Sequence, residues 1–514
     1  MLIELPRAAA AAGVPYAALF DGTAPPRPVD DDSVSEFLRC AMGLSAWKQY
    51  QTSRWALRVN PSSGNLHPTE TYIVRDGRVL HYAPREHALE ERTRLEADVW
   101  RTFTAGHGGF LVALTSIHWR EAWKYGERAF RYCQHDVGHA IGALRFAAAL
   151  SGWRLRMLHR WSSDAMDALL GLDRDEDFGT AEREEADYIA VVTAGDPQPW
   201  LDADPAALAA AARRATWRGT ANQLSPSRVE WPIIDAVART TRYPGGSPGT
   251  FDSGSAGARA PSPESRVPVP QARQIILQRR SAVAFDARST LPRATFLSML
   301  ARLQPPAPPW DAIDWPPHVH LLIFVHRVDG LTPGLYAYLR DPAVVDRWRA
   351  AMRPEFLWER IDPRNDPNDP NPPNDTNDLF LLVPTDVTWT ANRLSCDQDI
   401  AADGFFSLGM IAPLEPSLRE RGEWFYRRLF WESGLLGQVL YLEAEAAGAR
   451  ATGIGCFYDD PVHEMAGLSG CAWQSLYHFS MGIPVEDTRL TTEPGYPWEA
   501  PASARSNGSH PHAG

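Results

Sequence analysis

Two short stretches of the sequence carry the side chains best suited to gripping a ligand. Asn60-Pro61-Ser62-Ser63-Gly64-Asn65-Leu66-His67-Pro68 holds two prolines and a glycine within eight residues, which rules out a regular helix and fixes a loop. Pro61 pre-sets its own backbone, and Gly64 lets the main chain approach a flat or charged ligand. Ser62, Ser63 and Asn65 offer donors and acceptors along one arc. The loop lacks the lysine of a P-loop and the spacing of a dinucleotide fingerprint, so a capped turn before a strand accounts for it as well as an anion cradle does. The second stretch is Gln278-Arg279-Arg280-Ser281 at the end of a helical pattern. Two guanidinium groups and a hydroxyl suit a phosphate clamp, because guanidinium pairs with phosphate bidentately, although R-R-S alone is a weak signal since surface arginine pairs are common.

The elements that must position these groups follow from periodicity. Val34, Phe37, Leu38 and Met42 recur at helical spacing within residues 14–48. Strands are expected at Thr71–Val74, Val79–Tyr82, Gly109–Leu114 and Tyr188–Val192, with a long helix from about Glu127 to Ser151 stopped by Gly152. From Tyr243 to Pro270 the composition collapses to Gly, Ser, Pro and Ala, a linker without the means to pack a core. The pattern then restarts: helices at Gln271–Arg280 and about Arg293–Leu303, strands at His320–Val325, Gly334–Tyr338 and Phe380–Val383, a long helix from about Trp424 to Ala447, and a last strand at Tyr477–Met481. Asp362–Asp378 reads as a solvated loop and residues after about Trp498 as a disordered tail.

The two halves repeat one another. A shift of 296 positions aligns the long helices without a gap, matching Gly126 with Gly422, Arg131 with Arg427, Asp136 with Glu432, Gly138 with Gly434, Leu144 with Leu440 and Gly152 with Gly448. One chain therefore holds two copies of one α+β unit, a dimer fused into a monomer. His135-Asp136-Val137-Gly138-His139 places two histidines at i, i+4 like a zincin helix, but the aligned helix keeps the acid and the glycine and neither histidine, which favours packing over metal. His67 is a candidate site residue or a cap of its turn.

Composition narrows the function. A net charge of −12 argues against nucleic-acid binding. The five cysteines are odd in number and form no CxxC, consistent with reduced thiols in a cytoplasm and no zinc site. Ala8–Ala12 is too short for a signal core, and no run reaches transmembrane length. Nineteen tryptophans suit a pocket for a planar ligand, although tryptophan is also a large core residue.

The stretch N-P-S-S-G-N-L-H-P-T-E resembles the flavin-contacting loop of the nitroreductase superfamily, and most closely its azoline dehydrogenase branch (the SagB/ThcOx type), which oxidises thiazolines and oxazolines in ribosomal peptides. The resemblance implies an α+β fold: two nitroreductase-like FMN-binding domains in tandem, forming an intramolecular pseudo-dimer, with the first at 1–242, a linker at 243–270, the second at 271–498 and a tail at 499–514. In that superfamily the loop and the phosphate clamp at one flavin come from different subunits. The first copy has no arginine near Pro15–Phe20 and the second has no P-S-S-G-N near Gln304–Trp310. The surviving loop (Pro61, Ser62, Ser63, Asn65) and clamp (Arg279, Arg280, Ser281) thus belong to one site, and the chain is expected to bind one FMN between its halves, the other site being vestigial. Gly453-Ile454-Gly455 resembles the second flavin contact, whose backbone amides reach the ring, and Arg489 resembles the basic residue that returns to the phosphate. Trp123-Lys124-Tyr125-Gly126 resembles the catalytic pair of the azoline branch. Azole formation needs hydride loss to the flavin and proton loss from the neighbouring carbon, and a desolvated Lys124 is the expected base, with Tyr125 orienting it. A solvated lysine beside a core tyrosine is the competing reading. The implied substrate is a small molecule or modified peptide, with partners in a biosynthetic complex and no nucleic acid or membrane. An NAD(P)H-dependent nitro or quinone reductase and a non-catalytic flavin-binding scaffold are the alternatives. The start of the chain is short for the family, which leaves room for a missing N-terminal segment.

Overall fold

The computed structural model describes residues 2–7, 13–246, 270–362 and 378–499. Most of the expected linker, the Asn/Asp/Pro tract from 363 to 377 and the tail from 500 lie outside the described residues. The strands in the first half are β1 (Leu2–Glu4), β2 (Leu44–Tyr50), β3 (Ser53–Arg58), β4 (Thr69–Arg75), β5 (Arg78–Ala83), β6 (Ala88–Arg94), β7 (Phe110–Ser116), β8 (Arg154–Met157) and β9 (Glu185–Thr193). Those in the second are β10 (His320–Val325), β11 (Gly334–Leu339), β12 (Glu359–Arg360), β13 (Asp378–Val383), β14 (Phe406–Ala412), β15 (Arg450–Ile454), β16 (Gln474–Gly482) and β17 (Thr491–Pro494). The helices that matter to the site are α1 (Asp31–Ala41), α2 (Trp119–Tyr125), α3 (Ala129–Leu150), α4 (Ala272–Gln278), α5 (Leu414–Arg421) and α6 (Phe425–Ala446).

Two seven-stranded antiparallel sheets run β1-β6-β5-β4-β7-β9-β8 and β12-β13-β11-β10-β14-β16-β15; six strands correspond in order, and the edge strands β1 and β12 come from different places in the chain. The run of apolar residues in each central strand reflects burial on both faces. Val112 and Leu114 of β7 face a core shared with α3 and α6, whereas Leu111 and Ala113 face a second core with Trp100, Trp161 and Trp200. In β10, Leu321 and Ile323 turn to the shared core, while Leu322 and Phe324 turn to a third core around Trp348 and Trp473. Strand alternation thus splits each sheet between one central core and one private one.

The spacing of 296 extends beyond the helices. β7 and β14 start at Phe110 and Phe406, α3 and α6 at Ala129 and Phe425, and β8 and β15 at Arg154 and Arg450. Both long helices have 22 residues. Leu114 pairs with Tyr188 and Met410 with Tyr477, each followed by a register shift at the same place. Tyr188 and Tyr477 are therefore structural equivalents.

The amphipathic segment expected within residues 14–48 is α1, which ends at Ala41 before the chain turns into β2. Arg54, Trp55 and Arg58, just before the loop, lie in β3. One expectation from sequence is corrected: β16 is not the last strand, because β17 follows and pairs with β2, Thr491 opposite Gln49. The β17-β2-β3 sheet joins the end of the chain to its start, and such a pairing leaves no local pattern to read. No helix among the described residues is long and apolar enough to cross a membrane.

Candidate functional site

The loop before β4 adopts a single 3₁₀ turn, Ser63–Asn65, with Gly64, Asn65 and His67 all in the left-handed region (φ 58°, 60° and 53°). This strained path is held by the loop's own polar groups. The Ser63 amide and hydroxyl donate to Asp136 Oδ1 of α3 at 3.0 and 3.1 Å. The His67 amide donates to Ser62 Oγ at 2.8 Å, and Asn65 Nδ2 to the Ala56 carbonyl at 2.9 Å. The sequence assigned Ser62, Ser63 and Asn65 to a ligand; the fold spends much of their capacity on the loop itself. Asn60 Oδ1 and His67 Nδ1 are buried without a hydrogen-bond partner among the described residues, so the loop retains polar atoms open to a ligand.

Arg279 and Arg280 follow α4 and reach across to the first half. Arg279 Nε donates to the Val59 carbonyl at 3.1 Å and Nη2 to the Arg58 carbonyl at 3.2 Å, with its guanidinium over the Tyr441 ring. Arg280 Nη2 donates to the Ser45 carbonyl at 2.9 Å. Arg58 donates to the Thr69 carbonyl at 3.2 Å. None of these three guanidinium groups forms an ion pair within the described residues. Burial lowers the pKa of all three, that of Arg280 to about 10 with the Arg279 charge adding to the effect. Arg279 is buried and Arg58 and Arg280 are half-buried; cations so placed and bonded only to carbonyls leave a positive charge that an anion would complete.

Loop and clamp line one cavity of about 470 Å³ together with Gly453–Gly455 and Tyr125. Gly453 lies in β15 between two tyrosines: a Cβ there would collide with Tyr477 Oη, and its amide already donates to Tyr441 Oη at 3.0 Å. A Cβ on Gly455 would lie 2.5 Å from the Tyr132 ring. The glycines admit the tyrosines, and the Gly453 amide is not free for a ligand as the sequence reading required. Tyr441 Oη also meets Ser281 Oγ at 2.9 Å. His139 Nε2 lies 3.2 Å from Tyr477 Oη, and His135 stacks on the Tyr477 ring at 4.1 Å. Burial and the Arg279 charge push His139 down to about 3.

Tyr125, the last residue of α2, lines the cavity and packs edge-on against Tyr132 at 4.8 Å. Gly64 makes room for the pair, since a Cβ there would lie 3.1 Å from Lys124 Nζ and collide with Tyr125 Oη. The desolvation expected of Lys124 is absent: its side chain is exposed, with the ammonium 5.1 Å from the Tyr125 ring centre. Wholly buried Glu121, on the same helix, is pushed up to about 10 by burial and the neighbouring Asp136. Burial also raises Asp136, against the hydrogen bonds it accepts from the loop. Arg489 does not join the clamp; it is exposed, pairs with Asp487 at 2.8 Å and lies over Tyr50, while Asp487 and Leu490 face the cavity. Lys48, Arg58 and Arg450 line the cavity instead.

Sequence reasoning missed Tyr132, Tyr441, Tyr477, Asp136, Arg58 and Lys48. Asp136 had a signal, its match to Glu432; the loop before β10 is held the same way, the His318 and Val319 amides donating to Glu432 at 3.0 Å. The place related by the repeat is filled by the protein itself. Arg145, the equivalent of Tyr441, is locked to Asp311 at 2.7 and 3.0 Å. Arg428, the equivalent of Tyr132, pairs with Asp314 at 3.0 Å between Tyr243 and Trp424. The Tyr188 hydroxyl donates to the Ala312 carbonyl at 2.7 Å.

Residues 25–180 match the nitroreductase family model. A structure from Anabaena variabilis ATCC 29413, described as a candidate nitroreductase, superposes with a TM-score of 0.61 at 18% identity over 88% of this chain and 88% of that one. The likeness defines the fold, an α+β nitroreductase-like architecture. A Ralstonia eutropha JMP134 structure described in the same way shows only a weak likeness (TM-score 0.30, 16% identity, 38% of this chain and 90% of that one). The same holds for the E. coli microcin synthetase McbBCD complex with truncated pro-MccB17 (0.27, 16%, 34% and 67%). The search of curated proteins found no match.

Proposed function

We propose that the chain is an FMN-dependent oxidoreductase with one flavin site, built between two nitroreductase-like halves that act as a fused dimer. The observation that carries this reading is the meeting of the Pro61–Asn65 loop of one half with Arg279, Arg280 and Ser281 of the other around one cavity, three arginines there having no ion-pair partner among the described residues. The donor set fits the group: the arginines and Ser281 would hold a phosphate, and the tyrosines and glycines would flank a flat ring. FMN, when bound, supplies a two-electron hydride acceptor. The residues of the chain would hold the anion, and they place Tyr125 and Lys124 beside the loop. Within this class we assign a dehydrogenase that oxidises a thiazoline- or oxazoline-type heterocycle of a modified peptide or related natural product, with Lys124 taking the proton and Tyr125 orienting it. The exposure of Lys124 favours a second reading, an NAD(P)H-dependent nitro or quinone reductase, whose reaction needs no protein base at that position. Anaerobic mixing of oxidised holoprotein with a model thiazoline peptide, and separately with NADPH, tests the assignment. Bleaching of the flavin band by the thiazoline supports the dehydrogenase; bleaching by NADPH alone transfers the function to the reductase.

A further inference from the structure

Two cysteines 60 positions apart meet at the wall of the cavity. The sulfurs of Cys396 and Cys456 lie 2.7 Å apart, both as free thiols. Their segments are tied together on each side. The Tyr458 amide donates to the Leu394 carbonyl at 3.0 Å, and Gln398 Nε2 donates to the carbonyls of Ser395 and Cys456 at 2.7 and 3.1 Å. Both segments also rest on one histidine of β16: Ser395 Oγ bonds to His478 Nδ1 at 3.2 Å, and the Phe457 ring stacks on His478 at 4.3 Å. Cys396 and Asp397 both take positive φ, 56°, so the turn that presents Cys396 is held in a conformation few side chains adopt unaided. Arg128 bonds to the carbonyls of Gly455 and Phe457, fixing the other strand of the contact.

We propose that Cys396 and Cys456 form a reversible disulfide site in the wall of this cavity, closed by small-molecule disulfides and opened by thiols. Cys456 is exposed and lines the cavity, while Cys396 is half-buried behind it, so the order of events follows from access. The Cys456 sulfur attacks a disulfide such as oxidised glutathione, forming a mixed disulfide and releasing one glutathione thiol. The Cys396 sulfur then attacks the Cys456 sulfur, forming the protein disulfide and releasing the second thiol. Two protein thiols are oxidised, one small disulfide is reduced, and each protein proton leaves on a released glutathione. Burial and the adjacent Cys456 sulfur push the Cys396 thiol up, so Cys396 is the resolving partner and Cys456 the entry point. The bond joins the segment that carries Gln398 to the segment that follows Gly455, both of which line the cavity, and so couples its wall to the thiol balance of the surroundings. This inference is independent of which ligand the cavity takes.

The full-length chain would be incubated with oxidised glutathione, alkylated, and digested without reduction for peptide mass mapping. The expected result is a cross-linked Cys396–Cys456 peptide lighter by two hydrogens than the sum of its parts, the loss of two alkylatable thiols, and full recovery of both with dithiothreitol. Cys456→Ser should leave Cys396 alkylatable after the same treatment. Glutathione left on Cys456 with Cys396 free, pairing of either cysteine with exposed Cys471, or unchanged alkylation of both would overturn the proposal.

Discussion

Gly138 and Gly434, 296 positions apart, face each other where α3 and α6 cross: a Cβ built on either would lie 2.9 Å from the Cα of the other. The two helices touch backbone to backbone, each lacking a side chain at the crossing. This contact sets the spacing of everything attached to the helices, including Asp136 under the loop and Tyr441 beside the clamp.

Gly138→Ala is therefore expected to destabilise the chain by about 1–3 kcal/mol or more, the cost of overpacking against groups that cannot turn away. Its Cβ would meet Trp431 Cα at 2.8 Å as well as Gly434. Gly108→Ala, where nothing lies within 4 Å of the new Cβ, should be near neutral and serves as the control. Equal denaturation midpoints for the two variants would refute close packing at the crossing.

Purified protein is expected to carry at most one FMN per chain, since the repeat-related place is filled by the Arg145–Asp311 and Arg428–Asp314 pairs. Arg279→Ala combined with Arg280→Ala should leave a folded, colourless protein, because charge-assisted bonds are worth about 1.5–3 kcal/mol each and losing both weakens binding by two decades or more. Flavin absorbance against protein concentration checks both. A ratio near two, or unchanged colour in the double variant, goes against the proposed site.

Lys124→Ala should retain FMN and reduce substrate-driven flavin bleaching by roughly 10²–10⁴-fold, the usual worth of a positioned base. Tyr125→Phe should cost less. Stopped-flow absorbance with a thiazoline peptide distinguishes them, and bleaching of Lys124→Ala at the wild-type rate would make this lysine an ordinary surface residue.

Buried Glu443, which accepts the Tyr16 hydroxyl at 2.8 Å, is raised by burial to about 6. A carboxyl whose pKa rises on folding favours the native state when protonated, so its contribution is complete below about 4.5 and is lost as pH climbs through 6. Relative to Glu443→Gln, wild type should lose about 2 kcal/mol of stability between pH 4 and pH 7, from a shift of this size. Urea titrations of both proteins across that range measure the difference; a constant gap would show that Glu443 titrates normally.

The sequence by itself determined the parts with local cause. Apolar runs such as His320–Val325 marked central strands, since a strand covered on both faces must be apolar throughout. Helix period and the stops at Gly152 and Gly448 marked the long helices, and the 296-residue spacing matched them position by position. The loop and clamp were legible because proline, glycine and paired arginines act through their own backbone and charge. Only the tertiary structure decided how those parts are used. Ser63 turns to Asp136, 73 positions away, and Gly453 makes room for Tyr477, so residues read as ligands turned out to build the cavity. Arg489 fell to a surface pair with Asp487, while Arg58 and Lys48 took places at the cavity through the β17-β2-β3 sheet. Those outcomes depend on which distant surfaces meet, and burial energy sums over contacts that no window of sequence contains.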